Sequence, residues 1–321
     1  MTDPGDSLLE PVPGRRRRWW IRPLLWTLAF IVVVYYPLGM LWFHKIDDDT
    51  DYALQAEVVP NGGSRAVAMA AALVDREVDG HGWVANDPFF KPSSLLDNMP
   101  NYQIGMVGAL ARFAFELTDQ IGRSRGSSQT DPDLQQAAGL LQYSGKVWVW
   151  DPTVSLLPTA TTEQQYRGAR AALLSYNRRL GDGRAVFERR ADNLLSTLDR
   201  VALDLGSSSA AIDAHIAEHS GGVIDFTADD VFYAVKGQVY AYYLVLRELK
   251  QDFAPVIRER DVDRVYDQML ASLRQAAGLH PAIVFDGSPD GSFVPNHLAV
   301  EGFYLLRARI QMREITNILA K

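Results

Sequence analysis

The sharpest chemical signature in the chain is His215-Ile216-Ala217-Glu218-His219, where two imidazoles four residues apart share a helix face and could grip zinc with Glu218 beside them. Its surroundings favour a plainer reading. Ser207, Ser208 and Ser209 precede it and Gly221 and Gly222 follow, so the segment reads as a solvated helix end, and nothing downstream stands out as a third ligand. A second partial motif, DGSPDG from Asp286 to Gly291, sets oxygen ligands at positions 1, 3 and 5 and glycine at 6 of a calcium loop. Position 12, which should be a bidentate Glu, is His297, so a tight turn is expected there.

The third candidate is a long irregular stretch that mixes aromatics, carboxylates and amides in the way a sugar or peptide cleft is lined: Trp83, Asn86 and Asp87, then Asp97, Asn98 and Asn101. Asp87 and Asp97 could serve as acid and base, although both sit in turn contexts that use a carboxylate structurally, and loop aromatics often plug the core beneath them. There is no GxxxxGK[ST], GxGxxG or GxSxG, and the chain has no cysteine. Nucleotide chemistry, thiol catalysis, thiolate metal sites and disulfide scaffolding are therefore not expected, and no cofactor is called for.

These residues must be positioned by a chain of 321 residues that is 47% hydrophobic and carries a net charge of -7, a balance that argues against nucleic acid as partner. The charge is uneven. Six basic and three acidic residues lie before Ile46, against 26 basic and 36 acidic from there on. Leu24 to Phe43 is a run of twenty residues without a charge, long enough as a helix to cross about 30 Å of hydrocarbon. Arg15, Arg16, Arg17, Arg18 and Arg22 precede the run, and Asp47, Asp48, Asp49 and Asp51 follow it. The positive-inside rule then puts the basic segment 1–23 in the cytoplasm, residues 24–43 in the bilayer and the remainder outside. Trp19, Trp20 and Trp42 suit the two interfaces, and Pro37 is expected to kink the outer third. A cleaved signal peptide is the competing reading, but its apolar stretch should be shorter and no small-x-small site follows Phe43.

Residues 44–63 read as a tether, and residues 64–321 as a helical domain. Helices are expected from the Ser64 cap to Val78, from Tyr102 to Ile121, from Asp131-Pro132 to Tyr143 and from Thr162 to Leu180. Phe187, Ala191, Leu194, Leu198, Val201 and Leu205 form one apolar seam, and Val231, Val235, Tyr242, Val245 and Leu249 mark a helix apolar around most of its circumference, hence central. Further helices follow over Val262–Ala277 and through Leu305, Ala308, Met312, Ile315 and Leu319. Lys146 to Asp151 alternates like a short strand or an extended packing segment, and Ala282 to Val294 like a small hairpin or loop. The expected fold is all-α: one transmembrane helix and a bundle-like domain with at most a short hairpin.

Several stretches, GGSRAVAMAAALVDREV (62–78), GWVANDPFF with LDNMPNYQIG (82–90 and 96–105), RGSSQTDPDL (125–134), DDVFYAVKGQVYAYYLVL (229–246) and GSPDGSFVPNHLAVEGFYLLRAR (287–309), resemble a bacterial family of uncharacterised membrane proteins, domain of unknown function 2333. The resemblance implies a Gram-negative inner-membrane protein with one N-terminal anchor and a periplasmic body, and no catalytic residues to carry over. The expected role is a non-enzymatic scaffold or binding protein of the envelope, with the bilayer and an envelope protein or the cell wall as partners. A periplasmic glycan- or peptide-acting hydrolase, possibly metal-dependent, is the alternative. A reporter fused after Lys321 that works only outside the cytoplasm should give signal; signal from a cytoplasmic reporter instead would reverse the topology.

Overall fold

The computed structural model describes residues 20–55, 59–124, 130–150, 157–219, 227–287 and 294–321. Among these there are ten helices and no strand: α1 (Ile21–Phe43), α2 (Arg65–Asp75), α3 (Asn98–Ser124), α4 (Pro132–Leu141), α5 (Thr162–Gly181), α6 (Ala191–His219), α7 (Ala228–Asp252), α8 (Ala254–Glu259), α9 (Asp263–Ala277) and α10 (His297–Leu319). The chain is thus all-α, as its apolar periodicity implies.

Local chemistry sets most of the helix starts. Asp131 accepts from the backbone N–H groups of Asp133 and Leu134 with Pro132 in the first turn, and Asn296 accepts from Ala299 N at 2.7 Å. Thr161, one residue before the expected start of α5, forms a reciprocal capping box with Gln164. Ser64 caps α2, and Asp252 at the far end of α7 reinforces it, accepting from Arg65 N at 2.9 Å, Ala66 N at 3.0 Å and Ser64 Oγ at 2.7 Å. A buried carboxylate on a helix N-terminus satisfies donors that the helix itself leaves open.

α7 is the axis of the body, and α2, α3, α6, α9 and α10 all pack on it. Its closest neighbour is α3. Gly105 and Gly237 face the partner backbone at the crossing: a Cβ on Gly105 would collide with the Ala234 carbonyl, and one on Gly237 with the Tyr102 carbonyl. The two helices therefore meet backbone to backbone. α2 is buried along nearly its whole length by alanines and by Val67, Met69, Leu73 and Val74, small enough to fit between α5 and α7.

α1 contains a π turn at Ile31–Tyr35, just before Pro37. Proline lacks the N–H for the helical bond and crowds the carbonyl four residues back, and a widened turn absorbs both defects. The segment expected as a strand or extended packing piece forms no strand over its described part; a turn at Gly145–Lys146 and a bend at Val149 interrupt it, and the Val147 and Val149 carbonyls accept from Thr162 N and Thr159 N at 3.1 and 3.0 Å. The expected hairpin at 282–294 shows one antiparallel bridge, Asp286 to Asn296, with residues 288–293 outside the described ones.

The acidic run after α1 lies against the body. The Asp47 carbonyl accepts from Arg76 Nη2 at 2.9 Å and Tyr102 OH at 2.8 Å, and the Asp49 carbonyl from Tyr240 OH at 2.9 Å. Arg247 donates to the carbonyls of Thr50 and Tyr52, and Arg274 pairs with Asp51 at 2.7 Å. Gly237→Ala is expected to cost about 1–3 kcal/mol by overpacking the helix crossing. Gly108→Ala, whose Cβ meets open space, should be neutral or stabilising by up to about 1 kcal/mol through helix propensity. Urea unfolding of the two variants checks this pair.

Candidate functional site

α3 leaves Ile104, Gly105, Gly108, Arg112 and Phe115 open between its packed neighbours, and two hollows lie along this face. The larger, about 570 Å³, has an apolar floor of Ile104, Val107, Ala111 and Phe115 from α3, with Tyr143, Gly145 and Tyr166 as its far wall and Arg112 and Arg200 at its rim. The smaller, about 400 Å³, lies between α3, α6 and α7 and shares Ile104, Gly108 and Arg112 with the first, making one groove along α3. Both arginines are already paired. Arg112 Nη1 lies 3.1 Å from Asp204 Oδ1, whose other oxygen accepts from Tyr242 OH at 2.6 Å, and Arg200 Nε lies 3.4 Å from Glu116 Oε2. The groove thus has a mixed lining, aliphatic and aromatic side chains of α3 beside the two paired arginines, Gln142 and, in the smaller hollow, Ser207, Ser208 and Gln238.

Two of the loop residues singled out in the sequence build its wall from behind. Trp83 is buried, donates from Nε1 to the Gly145 carbonyl at 2.8 Å and meets the Tyr166 ring edge-on at 4.9 Å. Asn86 is buried too and donates to the Val147 carbonyl and Glu163 Oε2, both at 2.9 Å. Asp87 is engaged within its own loop by Lys91 at 2.6 Å and by Ser93. Asp97 stands apart from that pair. Its side chain caps Asn98 N at 2.8 Å, and its charge acts on Asp229 and Asp230 in the first turn of α7, which burial and then Asp97 push above the usual carboxylate range. Asn101 donates to Asp230 Oδ1 at 2.6 Å, while Asn98 is half-buried at the start of α3.

His215 and His219 sit on the last turn of α6 with rings stacked 4.3 Å apart and 18° from parallel. Imidazole lone pairs lie in the ring plane, so near-parallel planes do not converge on one ion, and His219 Nδ1 is 3.1 Å from the His215 carbonyl. Glu218 is exposed, and no group of three metal-ligating side chains occurs among the described residues. In the DGSPDG turn, Asp286 Oδ1 accepts from Asn296 Nδ2 at 2.7 Å and His297 Nδ1 accepts from Phe285 N at 3.0 Å; Ser288, Asp290 and Gly291 lie outside the described residues.

A charged cluster missed by motif searching lies between α7 and α10. Glu301 is fully buried with neither carboxylate oxygen hydrogen-bonded, and burial holds its carboxyl well above the ordinary range despite the opposing charge of Lys236. Lys236 is buried as well, donates to the Leu279 carbonyl at 2.5 Å and pairs with Asp48, whose Oδ2 also lies 3.0 Å from His280 Nδ1.

The family model described as uncharacterized protein conserved in bacteria (DUF2333) matches residues 15–223 and 224–321. The chain belongs to this family. No curated protein and no solved structure matches it. Within this DUF2333 chain, the stretch 62–78 covers α2 with its capping serine, and 229–246 covers most of the central α7. The stretch 287–309 brings Glu301 into the core.

One signal in the sequence does mark Glu301. Leu298, Glu301, Leu305, Ala308, Met312, Ile315 and Leu319 are spaced alternately by three and four, so the carboxyl occupies a position on an otherwise apolar seam. Because its folded pKa lies above the unfolded one, the folded state retains a proton that the unfolded chain releases. Its contribution to stability is full below the unfolded value and falls as pH rises toward the folded one. Glu301→Gln should lose less stability than the parent between pH 5 and pH 8, as read from urea midpoints; an equal loss would show that Glu301 does not titrate in this way.

Proposed function

We propose that this protein is a single-pass inner-membrane protein, N-terminus in the cytoplasm and helical body in the periplasm, that acts as a non-enzymatic scaffold or binding protein of the cell envelope. The carrying observation is the groove along α3. Its aliphatic and aromatic floor and internally paired arginines suit the apolar face of an amphipathic segment of a partner protein.

The anchor reading draws on α1, which is long and apolar enough to cross a membrane. Such a helix near an N-terminus is also compatible with a signal sequence. Retention is favoured by the contacts of its outer half: Tyr36 OH donates to the Phe89 carbonyl at 2.8 Å, and Lys45 N approaches Met99 Sδ at 3.2 Å. Cleavage would strip the body of packing that it uses.

The hydrolase reading draws on Asp229 and Asp230 beside Asp97, since a carboxyl raised by burial and a neighbouring charge, as those of Asp229 and Asp230 are, is what a general acid requires. A photo-cross-linking side chain placed at Phe115, in the groove, and separately at Asn98, at the start of α3, tests both in living cells. An adduct with one reproducible envelope protein at Phe115, lost when Gly108→Trp fills the groove, is expected. Capture of wall fragments at Asn98 with nothing at Phe115 would favour the hydrolase.

A further inference from the structure

The loop between α2 and α3 runs alongside α1 in a consistent order. Tyr36 and Tyr35 donate their hydroxyls to the carbonyls of Phe89 and Phe90 at 2.8 and 3.3 Å. Gly39 lies against Pro92, where only a hydrogen fits, at the start of the single 3₁₀ turn Pro92–Leu95. Farther along, Asp97 acts electrostatically on His44, just past the helix end, and Met99 meets Lys45. From Tyr36 to His44 the helix rises about 12 Å, so Phe89 and Phe90 lie about that far inboard of the level of Asp97.

The inboard end of this loop is apolar and bare. Phe89 is 83% exposed, Phe90 50% and Leu95 59%, and beside them Val149 and Trp150 are 42% and 52% exposed, with Trp148 edge-on to Phe90 at 5.7 Å. Such side chains in water would be a liability, yet Phe89 and Phe90 lie against a helix whose own outward residues are Leu, Val and Phe. Several of the loop's polar groups are met internally. Tyr36 and Tyr35 cover the carbonyls of Phe89 and Phe90, Lys91 N donates to Pro88 O at 2.8 Å, Ser94 Oγ donates to Lys91 O at 2.7 Å, and the Asp87 carboxylate is matched by Lys91 and Ser93. Irregular backbone enters hydrocarbon only when its hydrogen bonds are met by protein in this way.

We infer that Phe89, Phe90, Leu95, Val149 and Trp150 form a second membrane contact, inserted beside α1 into the outer half of the same bilayer, so that the body is seated on the membrane in one orientation instead of swinging from a single helix. The occupant of this surface is lipid acyl chain and headgroup boundary, where aromatic rings partition. This rests on α1 being a retained membrane span.

The absence of cysteine makes single-cysteine labelling clean. Full-length Phe89→Cys and Trp150→Cys, carrying nitroxide labels in phosphatidylethanolamine–phosphatidylglycerol vesicles, are compared with Val33→Cys on α1 and Leu203→Cys on the exposed face of α6. Collision with oxygen and with a water-soluble nickel complex is the readout. The labels at 89 and 150 should be favoured by oxygen and lose nickel access, as at 33, whereas 203 stays open to nickel. Nickel access at 89 and 150 equal to that at 203, with 33 in lipid, overturns the seat and leaves the anchor standing. Nickel access at all four positions overturns the anchor. Labels at 89 and 150 shielded from both quenchers mean that a second copy covers the patch, which also overturns the lipid seat.

Discussion

Two helix backbones in contact organise this protein. Gly105 and Gly237 let the backbones of α3 and α7 approach where any Cβ would collide. The groove borders this crossing, its smaller hollow being lined by Gly105 and Gly108 of α3 and by Val231, Ala234 and Gln238 of α7.

A second constraint ties α1 to this core. Arg76, just past α2, and Lys236 and Arg247 on α7 each find partners in the acidic run that follows α1. Buried cations such as Arg76 and Lys236 are tolerated only when hydrogen bonds replace the lost water. Removing the run would leave several donors stranded, so the link between α1 and the body is part of the domain's packing even though Asp49 and Asp51 stay exposed. The tyrosines at 102 and 240 work to the same end by presenting hydroxyls to backbone carbonyls of that run.

The candidate residues separate along the same lines. Trp83 and Asn86 were legible as chemically unusual loop residues, and the structure uses them to brace the groove wall, because a buried indole N–H and a buried amide must each find an acceptor and the turn at Gly145 to Val147 supplies it. The H-x-x-E-H segment was legible as a spacing only. Four residues on a helix bring two rings together, but whether the rings converge on an ion or stack depends on rotamers that the spacing does not set. Glu301 was hidden for the opposite reason: its helix reads as ordinary, and only the repeating three-four seam shows the carboxyl to be out of place.

The longer helices, the charge-free span, most caps and the central place of α7 were determined by sequence alone, since they rest on periodicity and on hydrogen bonds between residues three or four apart, whereas the short α8 was not expected. The groove, the acidic run folded into the body and the loop laid along α1 were decided by tertiary structure. Each depends on contacts between segments 50 to 200 residues apart, such as Tyr36 with Phe89 and Arg247 with Thr50. Local pattern fixes which face of an element is apolar, but not which other face it meets, and a site made from three or four elements exists only once that choice has been made.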